Sequence, residues 1–225
     1  MRGRVISPCA VSPRVRRKLL AAVLLAVSAG LLLLALVRHA PEECALERLS
    51  RCRGWTFEEL INFTDARVVV AGNVSLLTNE LLTSITVWRG ASAESYLVYS
   101  NATTTLVFLE GGWIEGGRGW RLEDTVLYRA LRLAAGSPGK RTLKGGGAEV
   151  VEFEGPCLED CRSLYSQLRG LALSSAGEPV RYRGRLVTRG CAPEELVLVF
   201  EDGGPLASLT YRVKSFDVPA VVAKP

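Results

Sequence analysis

The sequence predicts an α+β fold behind an N-terminal transmembrane helix, and three observations carry that expectation. Leu19 to Val37 is an uncharged run of Leu, Ala and Val with only Ser28 and Gly30 as small interruptions. From Ala66 onward, stretches rich in Val, Thr, Ile, Tyr and Leu alternate in the period of strands, separated by Gly and Asn punctuation. Between two such blocks lie two stretches with helical spacing, so the order is sheet, helix, short strand, helix, sheet.

The apolar run is long enough to cross a bilayer, since about 20 residues at 1.5 Å rise span a hydrocarbon core of roughly 30 Å. Before it stand Arg2, Arg4, Arg14, Arg16, Arg17 and Lys18 with no acidic residue, a cluster of the kind held on the cytoplasmic side. The expected organisation is a basic cytoplasmic tail over 1–18, a single-pass anchor over 19–37, a helical connector over 38–65 and an extracytoplasmic domain over 66–225. A cleaved signal peptide is the competing reading. It fits less well, because the run exceeds the usual apolar core of a signal and Val37-Arg38-His39-Ala40 offers no small-x-small cleavage site.

Charge must be read against this topology. The formal net charge is +5, but six of the 28 Lys and Arg precede the apolar run, leaving 22 basic against 23 acidic residues beyond it. Near neutrality removes the electrostatic case for nucleic acid. About 185 residues follow the run, enough for one domain with a real core.

Within the connector, Pro41 to Leu49 opens as a helix, with Pro in the first turn and acids beside the N-terminus. Thr56-Phe57-Glu58-Glu59 reads as a capping box that starts a second short helix. Strands are then expected over Arg67 to Leu77, Leu81 to Arg89, Ser95 to Ser100 and Thr103 to Leu109, joined as an antiparallel meander. Two glycine-rich turns ending in Trp113 and Trp120 follow; they serve either as hairpin turns whose Trp rings cover core or as the rim of a ligand site.

Asp124 to Ala135 returns to helical spacing, stopped by Gly136 and Pro138. Lys140 to Gly147 is expected as a mobile basic loop. Its glycines are no phosphate cradle, because no Gly-Lys-Ser or Gly-Lys-Thr accompanies them. Ala148 to Phe153 is a short strand. Pro156 to Leu173 places Cys157, Cys161, Leu164, Leu168 and Leu171 on one helical face. Val180 to Arg189 alternates, with Arg181, Arg183, Arg185 and Arg189 along one face, a row expected to be solvated and paired with Glu on neighbouring strands. Glu195 to Glu201, a turn at Asp202-Gly203-Gly204-Pro205, and Leu206 to Phe216 form a closing hairpin.

Taken together, the strand block ending in Gly and Trp, the helical section, and the closing pattern Pro193 to Phe200, Leu209 to Val213 and Ser215 to Pro219 resemble the lipoprotein-carrier superfamily over about Arg67 to Pro225. That superfamily includes the periplasmic lipoprotein carrier and the mycobacterial lipid-binding lipoproteins. The resemblance implies a curved half-barrel sheet wrapped around helices and a cavity between them. It makes a lipid, or an apolar segment of an envelope protein, the expected partner beside the membrane itself.

Catalytic chemistry is sparse. His39 is the only histidine and lies at the membrane boundary, which removes a Ser-His-Asp triad and a His-rich zinc site from the outer domain. No catalytic, metal or cofactor residues are assigned, and the expectation is a non-enzyme. The alternative is an accessory or interaction subunit of a cell-surface assembly with a solid core.

Cysteine needs its own count. Cys44, Cys52, Cys157, Cys161 and Cys191 lie in the outer part, where disulfides persist. Five is odd, so one thiol stays free or pairs between chains. Cys157 and Cys161, read as one turn apart in a helix, have poor geometry for each other. A bridge from that helix to Cys191 is therefore expected, with Cys44 to Cys52 as the lesser pairing. A thiol redox enzyme using Cys157 and Cys161 is the third functional reading. Asn62, Asn73 and Asn101 each begin an Asn-x-Ser/Thr sequon and are candidate glycosylation sites on an exterior surface.

Overall fold

Period-two alternation builds most of this molecule, and the helices fill one face of what it builds. The structure, a computed structural model, describes residues 40–217. Helix α1 (Pro41–Arg51) has Pro in its first turn with Glu42 and Glu43, and Arg48 and Arg51 in its last, so charges oppose the helix dipole at both ends. Six strands follow: β1 (Gly54–Phe63), β2 (Arg67–Ser75), β3 (Glu80–Arg89), β4 (Ser92–Ser100), β5 (Thr104–Leu109) and β6 (Gly112–Arg118). A short 3-10 turn at Leu122–Asp124 leads into α2 (Val126–Gly136). Then come β7 (Gly139–Gly145), β8 (Ala148–Pro156), α3 (Glu159–Ala172), β9 (Arg181–Arg189), β10 (Ala192–Glu201) and β11 (Pro205–Phe216).

All eleven strands join one sheet in the order β6-β5-β4-β3-β2-β1-β11-β10-β9-β8-β7. Every neighbouring pair is antiparallel. The sheet is thus two meanders joined by their first and last strands: β1 and β11 lie side by side at its centre. One core spans both halves. Trp55, Ile61, Val68 and Ile85 from one meander and Val151, Leu186, Leu196 and Phe200 from the other pack with Leu127 and Leu131 of α2 and Leu164 and Leu168 of α3.

Two glycines make this packing possible. A Cβ on Gly184 would stand 2.3 Å from the Phe153 ring, and one on Gly72 would stand 2.9 Å from Phe57 and 2.6 Å from Thr83. Each bare backbone leaves room for an aromatic ring from the adjoining strand.

The outer face is ionic. Arg183 pairs with Glu201 at 3.0 Å, Arg189 with Glu194 at 2.9 Å, and Arg212 with Glu195 at 2.8 Å. The arginine row of β9 is therefore paired with Glu on the neighbouring strand, as its alternation suggests. The arginines are largely exposed, and such surface pairs contribute little stability each.

Several expectations are corrected here. The α+β fold class with an N-terminal transmembrane helix gives way to a molecule dominated by one large antiparallel sheet, with three α-helices among the described residues. The shift has a local cause. Gly54–Phe63, expected within a helical connector, and Gly139–Gly145, expected as a loop, are both strands. In β1 the inward residues are Trp55, Phe57, Glu59, Ile61 and Phe63; the acidic Glu59 sits in the apolar parity and imitates the N3 position of a capping box. Residues 41–63 consequently belong to the sheet domain and its covering helices, inside one compact unit that begins at Ala40.

The expected single-pass localisation is corrected as well. Among the described residues no helix is long and apolar enough to cross a membrane, and the apolar run Leu19 to Val37 with its basic flank lies outside them.

The disulfides also differ from expectation. Cys44 pairs with Cys191, and Cys157 pairs with Cys161. Cys157 precedes the N-cap Leu158 and follows the end of β8, so it lies outside the helix rather than one helical turn from Cys161. Their Cα atoms are 5.1 Å apart, within bonding range. Among the described residues Cys52 is the free thiol; it is buried, and burial pushes its pKa up to about 11.

Candidate functional site

The strand parity that builds the core leaves a gap on one side of it. Between the inner face of β1 to β5 with β11 and the ends of α2 and α3 lies a cavity of about 360 Å³. Its sheet wall is made by alternate residues: Trp55 and Phe57 from β1, Val70 and Val74 from β2, Leu81 and Ile85 from β3, Tyr96 and Val98 from β4, and Val107 from β5. Trp120, Val126 and Leu171 close it from the helical side.

Three of these walls are held in place by polar contacts at their edges. Trp55 donates its indole N–H to the Tyr211 hydroxyl at 2.8 Å, and Phe57 stacks on the Tyr211 ring at 5.1 Å. Trp120 donates to the carbonyl of Asn79 at 3.0 Å. Thr125, the N-cap of α2, accepts from the Tyr128 amide and donates to the Leu122 carbonyl at 2.7 Å. Of the two glycine-rich segments, the second therefore ends in a Trp that covers the cavity.

Within this half-open apolar cleft stand a few polar groups. Glu59 is 5 % exposed, and no ion pair or hydrogen bond among the described residues engages its carboxyl. Burial alone pushes its pKa up to about 8, so at neutral pH the carboxyl is mostly protonated. Tyr211 lies directly across from it on β11, and burial raises the phenol well above its ordinary value. Gln167 donates its amide to the Asp124 carbonyl at 3.1 Å, which leaves its side-chain oxygen buried without a partner. The Asp124 carboxylate is balanced by Arg129 at 3.3 Å and Arg118 at 3.6 Å.

A larger hollow of about 600 Å³ lies on the opposite, outer face over β7 to β10. Its borders include Arg141, Glu152, Arg183 and Arg185, charged residues of a solvated surface. The inner cavity has the walls of a ligand site; the outer hollow does not.

Trp120, named from the sequence as core cover or ligand-site rim, lines the inner cavity, whereas none of the candidate cysteine and sequon residues does. Cys157 and Cys161 are consumed in a buried disulfide. Asn62 lies half-buried on β1 beside Ser208, Asn73 lies on β2, and Asn101 caps the turn before β5 by accepting from the Thr103 and Thr104 amides at 2.8 and 2.9 Å. The buried polar groups of the lining, Glu59 and Gln167, are not singled out as site residues by the sequence. A signal for Glu59 exists: in Trp-x-Phe-x-Glu-x-Ile-x-Phe every second residue but one is large and apolar.

No family model matches the chain, and no curated protein matches it. Among solved structures, LprF from Mycobacterium bovis aligns with a TM-score of 0.52 at 11% sequence identity, over 82% of this chain and 95% of that one. The chain shares the fold of LprF. At this identity the likeness speaks for the fold alone. An N-terminal dehydratase from the difficidin assembly line aligns at a TM-score of only 0.13, which carries no argument.

Proposed function

We propose that this domain is a non-catalytic binding protein that holds an acyl chain or similar apolar ligand in the cavity between sheet and helices. The observation that carries the reading is the cavity itself. Protein interiors pack with few voids larger than a water molecule, yet here a half-open cleft of about 360 Å³ runs in among Trp, Phe, Val, Leu and Ile side chains. That volume is on the scale of small-molecule sites, roughly 300 to 1,000 Å³. The fold shared with LprF supports the same reading, because the mycobacterial lipid-binding lipoproteins it resembles use their sheet to enclose an apolar cavity. An interaction subunit with a solid core has no use for such a space.

Native mass spectrometry of the purified protein, followed by organic extraction, tests this. The expected result is a fraction of molecules carrying one lipid-sized adduct that the extract also contains. A bare protein mass that no added long-chain probe changes would end the binding reading. An adduct that proves to be a peptide would replace the lipid by an apolar segment of another protein.

A further inference from the structure

We infer that the ligand of this cavity is an apolar chain carrying a hydroxyl, the class of neutral alcohol-bearing lipids, and that Glu59 and Gln167 are the groups that read it. The inference rests on the ligand-binding reading above and adds the chemical class.

The first ground is an unmet acceptor. Gln167 is oriented by its bond to the Asp124 carbonyl, since turning the amide over would set two oxygens against each other. Its oxygen is therefore fixed as an acceptor, is buried, and has no partner among the described residues. A buried polar atom left unpaired is costly, so the site is complete only when something brings a donor to it. A hydrocarbon, an ether or an ester cannot.

Glu59 supplies the second ground. It lines the same cavity from the sheet side, is more than nine-tenths buried, and among the described residues has no cation beside it. Across β1 and β11 its neighbour is Tyr211, and across β1 and β2 it is Val70. The Tyr211 oxygen already accepts the Trp55 indole N–H, leaving its own proton available to donate. A carboxyl and a phenol so placed both exchange hydrogen bonds with a hydroxyl, which accepts and donates at once.

The third ground is charge. Among the described residues no Lys or Arg lines the cavity, and a carboxylate, Asp124, stands at its helical side. Asp124 is already balanced by Arg118 and Arg129, so neither guanidinium is spare. An anionic head, such as a fatty-acid carboxylate or a phosphate, would enter low-dielectric surroundings beside carboxyl groups with nothing to neutralise it. The lining selects against it.

The test compares three probes of equal chain length on the full protein at pH 7 by titration calorimetry: dodecanol, dodecyl methyl ether and sodium dodecanoate. Dodecanol is expected to bind about tenfold more tightly than the ether, a difference of about 1.4 kcal/mol, with dodecanoate weakest. In Glu59→Leu and in Gln167→Leu the preference for alcohol over ether should shrink toward unity while ether binding persists, which also reports that the variants are folded. Equal binding of alcohol and ether by the wild-type protein, or tightest binding of dodecanoate, would overturn the inference and leave the ligand-binding reading standing. Failure of all three to bind would overturn both.

Discussion

The indole N–H of Trp55 reaches the hydroxyl of Tyr211 across the seam where the first strand of the sheet meets the last. Trp55 is fully buried and Tyr211 nearly so, and both line the cavity. This bond thus closes the two meanders and shapes the site in one contact. Tyr211→Phe would keep the ring stacked on Phe57 but leave the indole donor unpaired. A loss of roughly 1 to 3 kcal/mol is expected, read as a lower urea midpoint at unchanged slope. An unchanged midpoint would show that the seam is held by packing alone.

Glu59 should make stability depend on pH in the unusual direction. Its pKa is raised from an ordinary 4.5 to about 8 in the folded protein by burial. The folded state therefore holds a proton that the unfolded state has lost between those values. Stability from this group is fully present below about pH 4.5 and falls as pH rises toward 8, with a slope of at most about 1.4 kcal/mol per pH unit. Glu59→Gln should flatten that stretch of the curve. Denaturant melts at pH 5, 6, 7 and 8 on both proteins provide the check, and parallel curves would mean that the carboxyl is not desolvated.

How this site escaped a reading of the sequence is instructive at the level of particular residues. The two helices over the sheet were legible, because Val126, Leu127, Ala130 and Leu131, and then Cys161, Leu164 and Leu168, recur at helical spacing and are buried where that spacing puts them. Strands β3 and β9 to β11 were legible from alternation, which one solvated face makes visible. Strand β1 was not, because a buried carboxyl occupies its apolar parity and Thr56-x-x-Glu59 matches a helix start. Strand β7 was hidden for a different reason: as an edge strand it is exposed along most of its length and lacks an apolar face. Pairing of cysteines depends on chain turns far apart in sequence, which no local pattern reports.

The two disulfides should differ in weight. Cys44–Cys191 closes a separation of 147 residues, while Cys157–Cys161 closes one of four. In the chain-entropy account these correspond to roughly 5 and roughly 2 kcal/mol of constraint on the unfolded chain. Replacing both cysteines of the long bridge by Ser should therefore lower the melting temperature clearly more than the same change in the short one. Equal losses would place the effect in native packing around each bridge instead. Non-reducing peptide mapping should recover these two pairs and leave Cys52 alkylatable only after unfolding.

Gly72 lets Phe57 lie flat over β2, next to the cavity. A Cβ there would also stand 2.8 Å from the Leu82 carbonyl oxygen, which cannot move away as a side chain can. Gly72→Ala should thus cost about 1 to 3 kcal/mol through overpacking and displace the Phe57 ring. Chemical shifts of the Phe57 ring protons, together with a denaturant melt, give the readout. A neutral substitution with unmoved shifts would show that the strands part more easily than their packing suggests.

The central claim is that an apolar chain occupies the space between Trp55 and Trp120. Those two line the cavity, whereas Trp88 stacks beneath Arg67 and Trp113 rests against Phe108 on the β5–β6 hairpin. With Trp88 and Trp113 replaced by Phe, all remaining indole fluorescence comes from the cavity walls. Titration with a long-chain alcohol brominated along its chain should then quench that fluorescence saturably, at one molecule per protein, and Val98→Phe should weaken the effect by filling the space. Absence of saturable quenching, or quenching that is as strong when only Trp88 and Trp113 are kept, would contradict the account.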